Sequence, residues 1–155
     1  MRESIDRLKQ CDLVISNGTR SDIEPNAAVM HVEAQNFVNL ATGERTSPDM
    51  FEHKLVHAVV AVGNPDRFLH TLNQLGIEHV ASVFGDHHAY KTEEISFPDA
   101  LPVVMTEKDA VKVRRLSPLD LKSYWYLEVE AEMSDADCQK VMLCLQSKGI
   151  TAREQ

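Results

Sequence analysis

The residues best equipped for chemistry are Asp86, His87 and His88, three consecutive titratable side chains that follow a strand-like segment, His79 to Phe84, and a strand-ending Gly85. A carboxylate beside imidazoles can orient a base, share a proton or contribute to a metal site. Three such groups at a strand end are poor core filler. A metal would need further ligands, and although His57 and His79 are available in principle, neither falls at a recognisable ligand spacing. The triplet therefore reads as acid/base or electrostatic machinery, with metal binding and plain loop capping as the alternatives, and no metal ligand is assigned.

Two other polar groups are placed in the same way. Gly63-Asn64-Pro65-Asp66 follows the apolar run Val56 to Val62. Free backbone N–H groups at a helix start can hold an anion, but Asn64 before Pro65 is good capping chemistry, and Asp66 in the first turn already satisfies the helix dipole. Thr106-Glu107-Lys108-Asp109 follows another apolar run, Leu101 to Met105. Capping accounts for Thr106 and Asp109; Glu107 and Lys108 remain to face a polyphosphate or a nucleotide base. Asn64, His88, Thr106 and Asp109 are thus expected as substrate contacts or structural support.

The elements that must position these groups alternate between strand and helix. After about residue 55, Val56 to Val62 reads as a strand, and a helix follows with Phe68, Leu69, Leu72 and Leu75 on one stripe before Gly76. His79 to Phe84 and Leu101 to Met105 are further strands, the second leading into a helix that runs to about Arg115. Tyr124 to Ala131 is the next strand, and Ser134 with Asp137 caps a last helix whose Val141, Met142 and Leu145 are expected to face inward before Gly149. Such alternation implies an α/β fold, a mostly parallel sheet with flanking helices, whose ligands sit outside the carboxyl ends of the strands. All three polar groups collect at that edge. Before residue 55, Asp12 to Ser16 is a short buried strand, 17 to 28 a loop, and Val29 to Thr46 two short antiparallel strands around Thr42-Gly43-Glu44.

Composition narrows the function. The chain has 155 residues, 16 Lys and Arg against 24 Asp and Glu, and a formal charge of -8. With 43% hydrophobic residues it can build a core, enough for one domain or two small lobes. The acidic balance argues against nucleic acid as a partner. No apolar run approaches a membrane-spanning length, and Met1 to Gln10 lacks a signal-peptide core, so a cytoplasmic chain is expected. Cys11, Cys138 and Cys144, odd in number and without CxxC spacing, are expected as reduced thiols acting as small hydrophobic filler. The chain contains no Walker A loop, and no G-x-G-x-x-G, G-x-S-x-G or H-E-x-x-H motif.

Taken in order, Arg2-Glu3, Arg7-Leu8, Asp12 through Gly18, Val38-Asn39-Leu40, Val56-His57-Ala58, Val62 through Phe68, Phe84 through His88, Met105 through Lys112 and Tyr124 through Leu127 resemble the carboxyl half of tetraacyldisaccharide 4'-kinase. The resemblance runs from the first residues to about Leu145 and is most specific in Met-Thr-Glu-Lys-Asp-Ala-Val-Lys. It implies a lipid A pathway enzyme that transfers the γ-phosphate of ATP, with Mg2+, to the 4'-hydroxyl of a tetraacyl glucosamine disaccharide 1-phosphate. It also implies a Rossmann-like carboxyl lobe (47 to 155) behind a two-stranded linker (29 to 46), with residues 1 to 28 a remnant of the preceding lobe. His87 is implied to support a catalytic aspartate across the cleft, and Asp86 to orient His87.

In the family, the P-loop, the magnesium-holding carboxylates, the aspartate base and the membrane-contacting segment precede the point matching residue 1. The expected partners are accordingly the amino-terminal P-loop half and the lipid, the expected location of the complete enzyme is the cytoplasmic face of the inner membrane as a peripheral protein, and the chain alone is expected to bind ATP weakly and to be inactive. A fragment, a truncated product or half of a split protein would all fit. The rival readings are a metal-dependent hydrolase built on Asp86, His87 and His88, and a non-catalytic interaction module.

Overall fold

The computed structural model describes residues 5–18, 26–116 and 119–150. The expected loop falls partly outside them at 19–25, as do Arg2 and Glu3 of the resemblance. The strands are β1 (Ile15–Asn17), β2 (Ala28–Asn39), β3 (Arg45–Thr46), β4 (Leu55–Val60), β5 (Glu78–Val83), β6 (Val103–Thr106) and β7 (Tyr124–Met133). The α-helices are α1 (Pro65–Gln74), α2 (Thr92–Ile95), α3 (Glu107–Val113) and α4 (Asp135–Ser147). The chain forms two compact units, 34–129 and a second made of 1–33 with 130–155, and the long strands β2 and β7 each pass from one into the other. The sequence divides the chain in order; contacts instead group its last helix with its first strand.

Within 34–129 the strand order is β3-β2-β7-β6-β4-β5, with β7, β6, β4 and β5 parallel and β3 antiparallel to β2. This is the α/β sheet expected. Alternate residues of β4 serve opposite faces: Val56, Ala58 and Val60 join Phe37, Phe51, Phe68, Leu72 and Val104, while Val59 joins Val103, Met105, Tyr124 and Tyr126. A strand buried on both faces is largely apolar, which is why Val56 to Val62 reads as one run, and its one polar residue, the buried His57, is paired with Asp99. Helix α1 lays Phe68 and the fully buried Leu72 on one of these clusters, each such side chain contributing roughly 1.5–3 kcal/mol. It stops at Gly76, whose φ of +69° lets its N–H reach Asn73 O and the Ile77 N–H reach Leu72 O.

Where two short strands are expected over 29–46, the hairpin is unequal, with twelve residues in β2 against two in β3. Asn39 explains the early return. Its Oδ1 accepts from Ala41 N and Thr42 N, turning the chain, and its Nδ2 donates to Lys122 O.

In the other unit β1 runs parallel to the start of β2. Helix α4 is capped as expected, Ser134 Oγ accepting from Asp137 N. Of the residues expected to face inward Val141 is half-buried, while Met142 and Leu145 are exposed, as is Leu143, and the buried residue of α4 is Asp137, held by Ser134 and Lys140. The periodicity marks an apolar face and cannot say what covers it. The cysteines are free thiols as expected, but not filler, since Cys11 and Cys138 are exposed. No helix among the described residues is long and apolar enough to cross a membrane.

Candidate active site

All three polar groups lie in the 34–129 unit: Gly63 and Asn64 lead from β4 into α1, Asp86 to His88 follow β5, and Thr106 ends β6 with Glu107 to Asp109 opening α3. After β5 the chain turns through Gly85 to His88, with the His88 N–H donating to Gly85 O at 3.1 Å. His87 takes the third position of this turn with φ +62°, a left-handed conformation that glycine or asparagine ordinarily adopts. The turn thus pushes a histidine outward at a backbone cost, and its side chain is 79% exposed.

Asp86 is the centre of the cluster. Its Oδ1 accepts from Lys108 Nζ at 3.1 Å and from the His87 N–H at 3.0 Å, while Oδ2 lies 3.5 Å from His87 Nε2. The hydrogen bond from the Lys108 ammonium holds the Asp86 carboxyl below the usual carboxylate range; partial burial opposes it, and His87 adds to the lowering. Gly63 completes the wall, because a Cβ there would stand 3.5 Å from Asp86 Oδ2. Asn64 stays at the rim and caps α1, its Oδ1 accepting from Arg67 N.

His88, grouped with Asp86 and His87 by sequence, turns elsewhere. Its Nε2 lies 2.9 Å from Glu94 Oε2 and its ring stacks on Phe84 at 4.8 Å. Glu94 also accepts from Lys91 N, so His88 closes the entrance of α2; the His88 contact, followed by that N–H, draws the Glu94 carboxyl down. Thr106 caps α3 by accepting from Asp109 N. Glu107 is exposed in the first turn.

Asp109 does more than cap. Fully buried, its Oδ2 accepts from Thr106 Oγ1 at 2.8 Å and from the Ala61 N–H at 3.1 Å, and its Oδ1 accepts from Lys112 Nζ at 2.9 Å. The sequence assigns no site role to Lys112, although it closes the Met105–Lys112 block, or to Tyr90, two residues past His88. Burial, with the Asp109 charge added, pushes the Tyr90 phenol well above its ordinary range, so it stays protonated.

Neither histidine considered as an extra ligand joins the cluster. His57 Nε2 is 3.0 Å from both Asp99 oxygens and its ring stacks on Phe97 at 3.7 Å, whereas His79 Nδ1 contacts Ile77 O. Among the described residues no group of three His, Cys, Asp or Glu side chains is gathered to hold a metal ion.

The arrangement is an oriented, outward imidazole beside a carboxylate and an ammonium. It can hold or move a proton and place one positive charge.

Comparison with known proteins gives this arrangement its context. Residues 1–146 match the family of tetraacyldisaccharide-1-P 4'-kinase, LpxK. The tetraacyldisaccharide 4'-kinase of Pseudomonas putida (strain W619) is 41% identical over 139 residues, 89% of this chain and 40% of the relative. That of Pseudomonas fluorescens (strain SBW25) is 42% identical over 137 residues, 88% of this chain and 40% of the relative. That of Hahella chejuensis is 38% identical over 141 residues, 91% of this chain and 40% of the relative. The chain therefore spans about 40% of the length of these relatives. In structure it is similar to LpxK from Aquifex aeolicus, crystallised in complex with ATP, with a TM-score of 0.61 and 17% identity over 95% of this chain and 45% of that one. At that identity the likeness speaks for the fold, while the sequence match over nearly the whole length decides the lineage: this chain belongs to the tetraacyldisaccharide-1-P 4'-kinase family.

Proposed function

We propose that this chain forms the carboxyl-lobe wall of the active cleft in a tetraacyldisaccharide 4'-kinase, which moves the γ-phosphate of ATP to the 4'-hydroxyl of a tetraacyl glucosamine disaccharide 1-phosphate. The observation that carries the reading is the Asp86–His87 pair, held outward at the carboxyl ends of the parallel strands with Lys108 beside it. Family membership and the ATP-bound relative of like fold support it.

The residues present do not by themselves fit a triphosphate or Mg2+. Asp86 already engages Lys108, and no trio of ligands is gathered among the described residues. Those groups fall to the P-loop part of the family, and this 155-residue chain, which contains no Walker A loop, has no turnover of its own. The kinase assembled from both parts works as a peripheral protein at the cytoplasmic face of the inner membrane.

His87 is the residue of this wall that acts on the reaction. With Nε2 turned to Asp86, the proton on Nε2 faces the carboxylate and Nδ1 is the free ring nitrogen. Nδ1 then supports the aspartate base that removes the acceptor hydroxyl proton, while Asp86 keeps the ring in that tautomer. The 3.5 Å separation is loose, as such contacts are before substrate tightens them. Lys108 shares its charge between Asp86 and the cleft.

The test is His87→Ala in the kinase assembled with its P-loop part. A loss of kcat of about 10²-fold or more with little change in KM for ATP is expected. Unchanged kcat would overturn the assignment.

A further inference from the structure

The side chain best placed to hold this wall together is one to which neither the motifs nor the family reading assigns a role. We infer that Lys112 is a positioning residue that locks the Gly63-Asn64-Pro65 turn and the Asp86–His87 turn into a single arrangement. Taken as machinery for phosphoryl transfer, this rests on the kinase reading; as a structural lock it stands on geometry alone.

Ala61, one residue beyond β4, has both backbone groups taken by α3 side chains. Its N–H donates to Asp109 Oδ2 at 3.1 Å, and its carbonyl accepts from Lys112 Nζ at 3.2 Å. Two residues later Gly63 lies against Asp86. The same Nζ sits 5.4 Å from the Tyr90 ring centre, and Tyr90 meets Phe84 at 5.3 Å and His88 at 5.5 Å, both edge-on. Phe84 and His88 flank the turn that presents Asp86 and His87. One ammonium therefore touches the strand end that sets the first turn and the aromatic wedge that backs the second.

Energetics favour a geometric role over a purely stabilising one. A fully buried carboxylate such as Asp109 requires a partner, and Lys112, also hydrogen-bonded to it, is that partner. Yet a buried ion pair gains little over apolar residues of the same volume. What the pair supplies is a fixed distance and direction. Lys112 offers three donors, and two are spent on Asp109 and Ala61.

The experiment compares the wild-type chain with Lys112→Met and Lys112→Arg by backbone amide NMR, and then measures kinetics in the kinase assembled with its P-loop part. In Lys112→Met, the amide resonances of 61–64 and 85–88 should shift together while those of Val56 to Val59 stay in place, and Lys112→Arg should restore most of the shift. In the assembled kinase Lys112→Met should lower kcat by about ten- to a hundredfold with KM for ATP nearly unchanged. Shifts confined to α3, or spread evenly over β4, would overturn the inference, as would failure of Lys112→Arg to restore them. If the wild-type assembly itself shows no turnover, the kinase reading fails while the NMR comparison still decides the lock.

Discussion

Lys108 Nζ stands 3.1 Å from Asp86 Oδ1, joining the entrance of α3 to the turn after β5 across twenty-two positions of sequence. Both groups are roughly half exposed, so the bond sets charge and direction more than it adds stability. Replacing Lys108 with Met should raise the Asp86 carboxyl toward its ordinary range, since that hydrogen bond is the largest influence lowering it. Carboxyl-carbon NMR titration checks this; an unmoved Asp86 would mean that His87 and its backbone N–H suffice.

Acid should weaken the fold. Asp86, Glu94, Asp99, Glu128 and Asp137 are all held below their ordinary values by partners present only in the folded chain, His57 for Asp99 and Arg45 for Glu128 among them. A carboxyl lowered by folding contributes stability above its unfolded value and loses it as pH falls through the folded one. Thermal unfolding followed by circular dichroism should give a midpoint steady above the ordinary carboxylate range and falling through and below it. Asp99→Asn should flatten part of that fall, and a midpoint that rises on acidification would contradict the assignment.

Asp109→Ala should cost roughly 2–4 kcal/mol in urea unfolding, because it strips the Ala61 N–H and the Thr106 hydroxyl of their acceptor and leaves the Lys112 ammonium without its carboxylate. Leu143→Ala, at a side chain 67% exposed, should cost under about 0.5 kcal/mol. Equal costs would contradict the placement of Asp109 in the interior.

The sheet and its parallel order are legible because β4 and β6 read as largely apolar runs and β5 as a mixed one, each followed by glycine or a cap. Asp86, His87 and Lys108 are each picked out by the sequence, but the bond between Asp86 and Lys108 is not. The resemblance gives His87 the role at the cleft and leaves His88 as support, but adjacency in sequence does not reveal that a left-handed residue turns the two rings apart. The Asp109–Lys112–Ala61 lock was hidden because two of its bonds reach from α3 to the end of β4, and periodicity along one helix says nothing of that. The apolar stripe of α4 likewise shows what a helix can bury, not whether the partner is at hand.

The most direct test measures 4'-kinase activity with ATP, Mg2+ and the tetraacyl disaccharide 1-phosphate for this chain alone, for a separately expressed P-loop half alone, and for the two mixed. Activity only in the mixture, and its collapse with His87→Ala, is the result expected. Turnover by the chain alone, or a mixture indifferent to His87, would contradict the account.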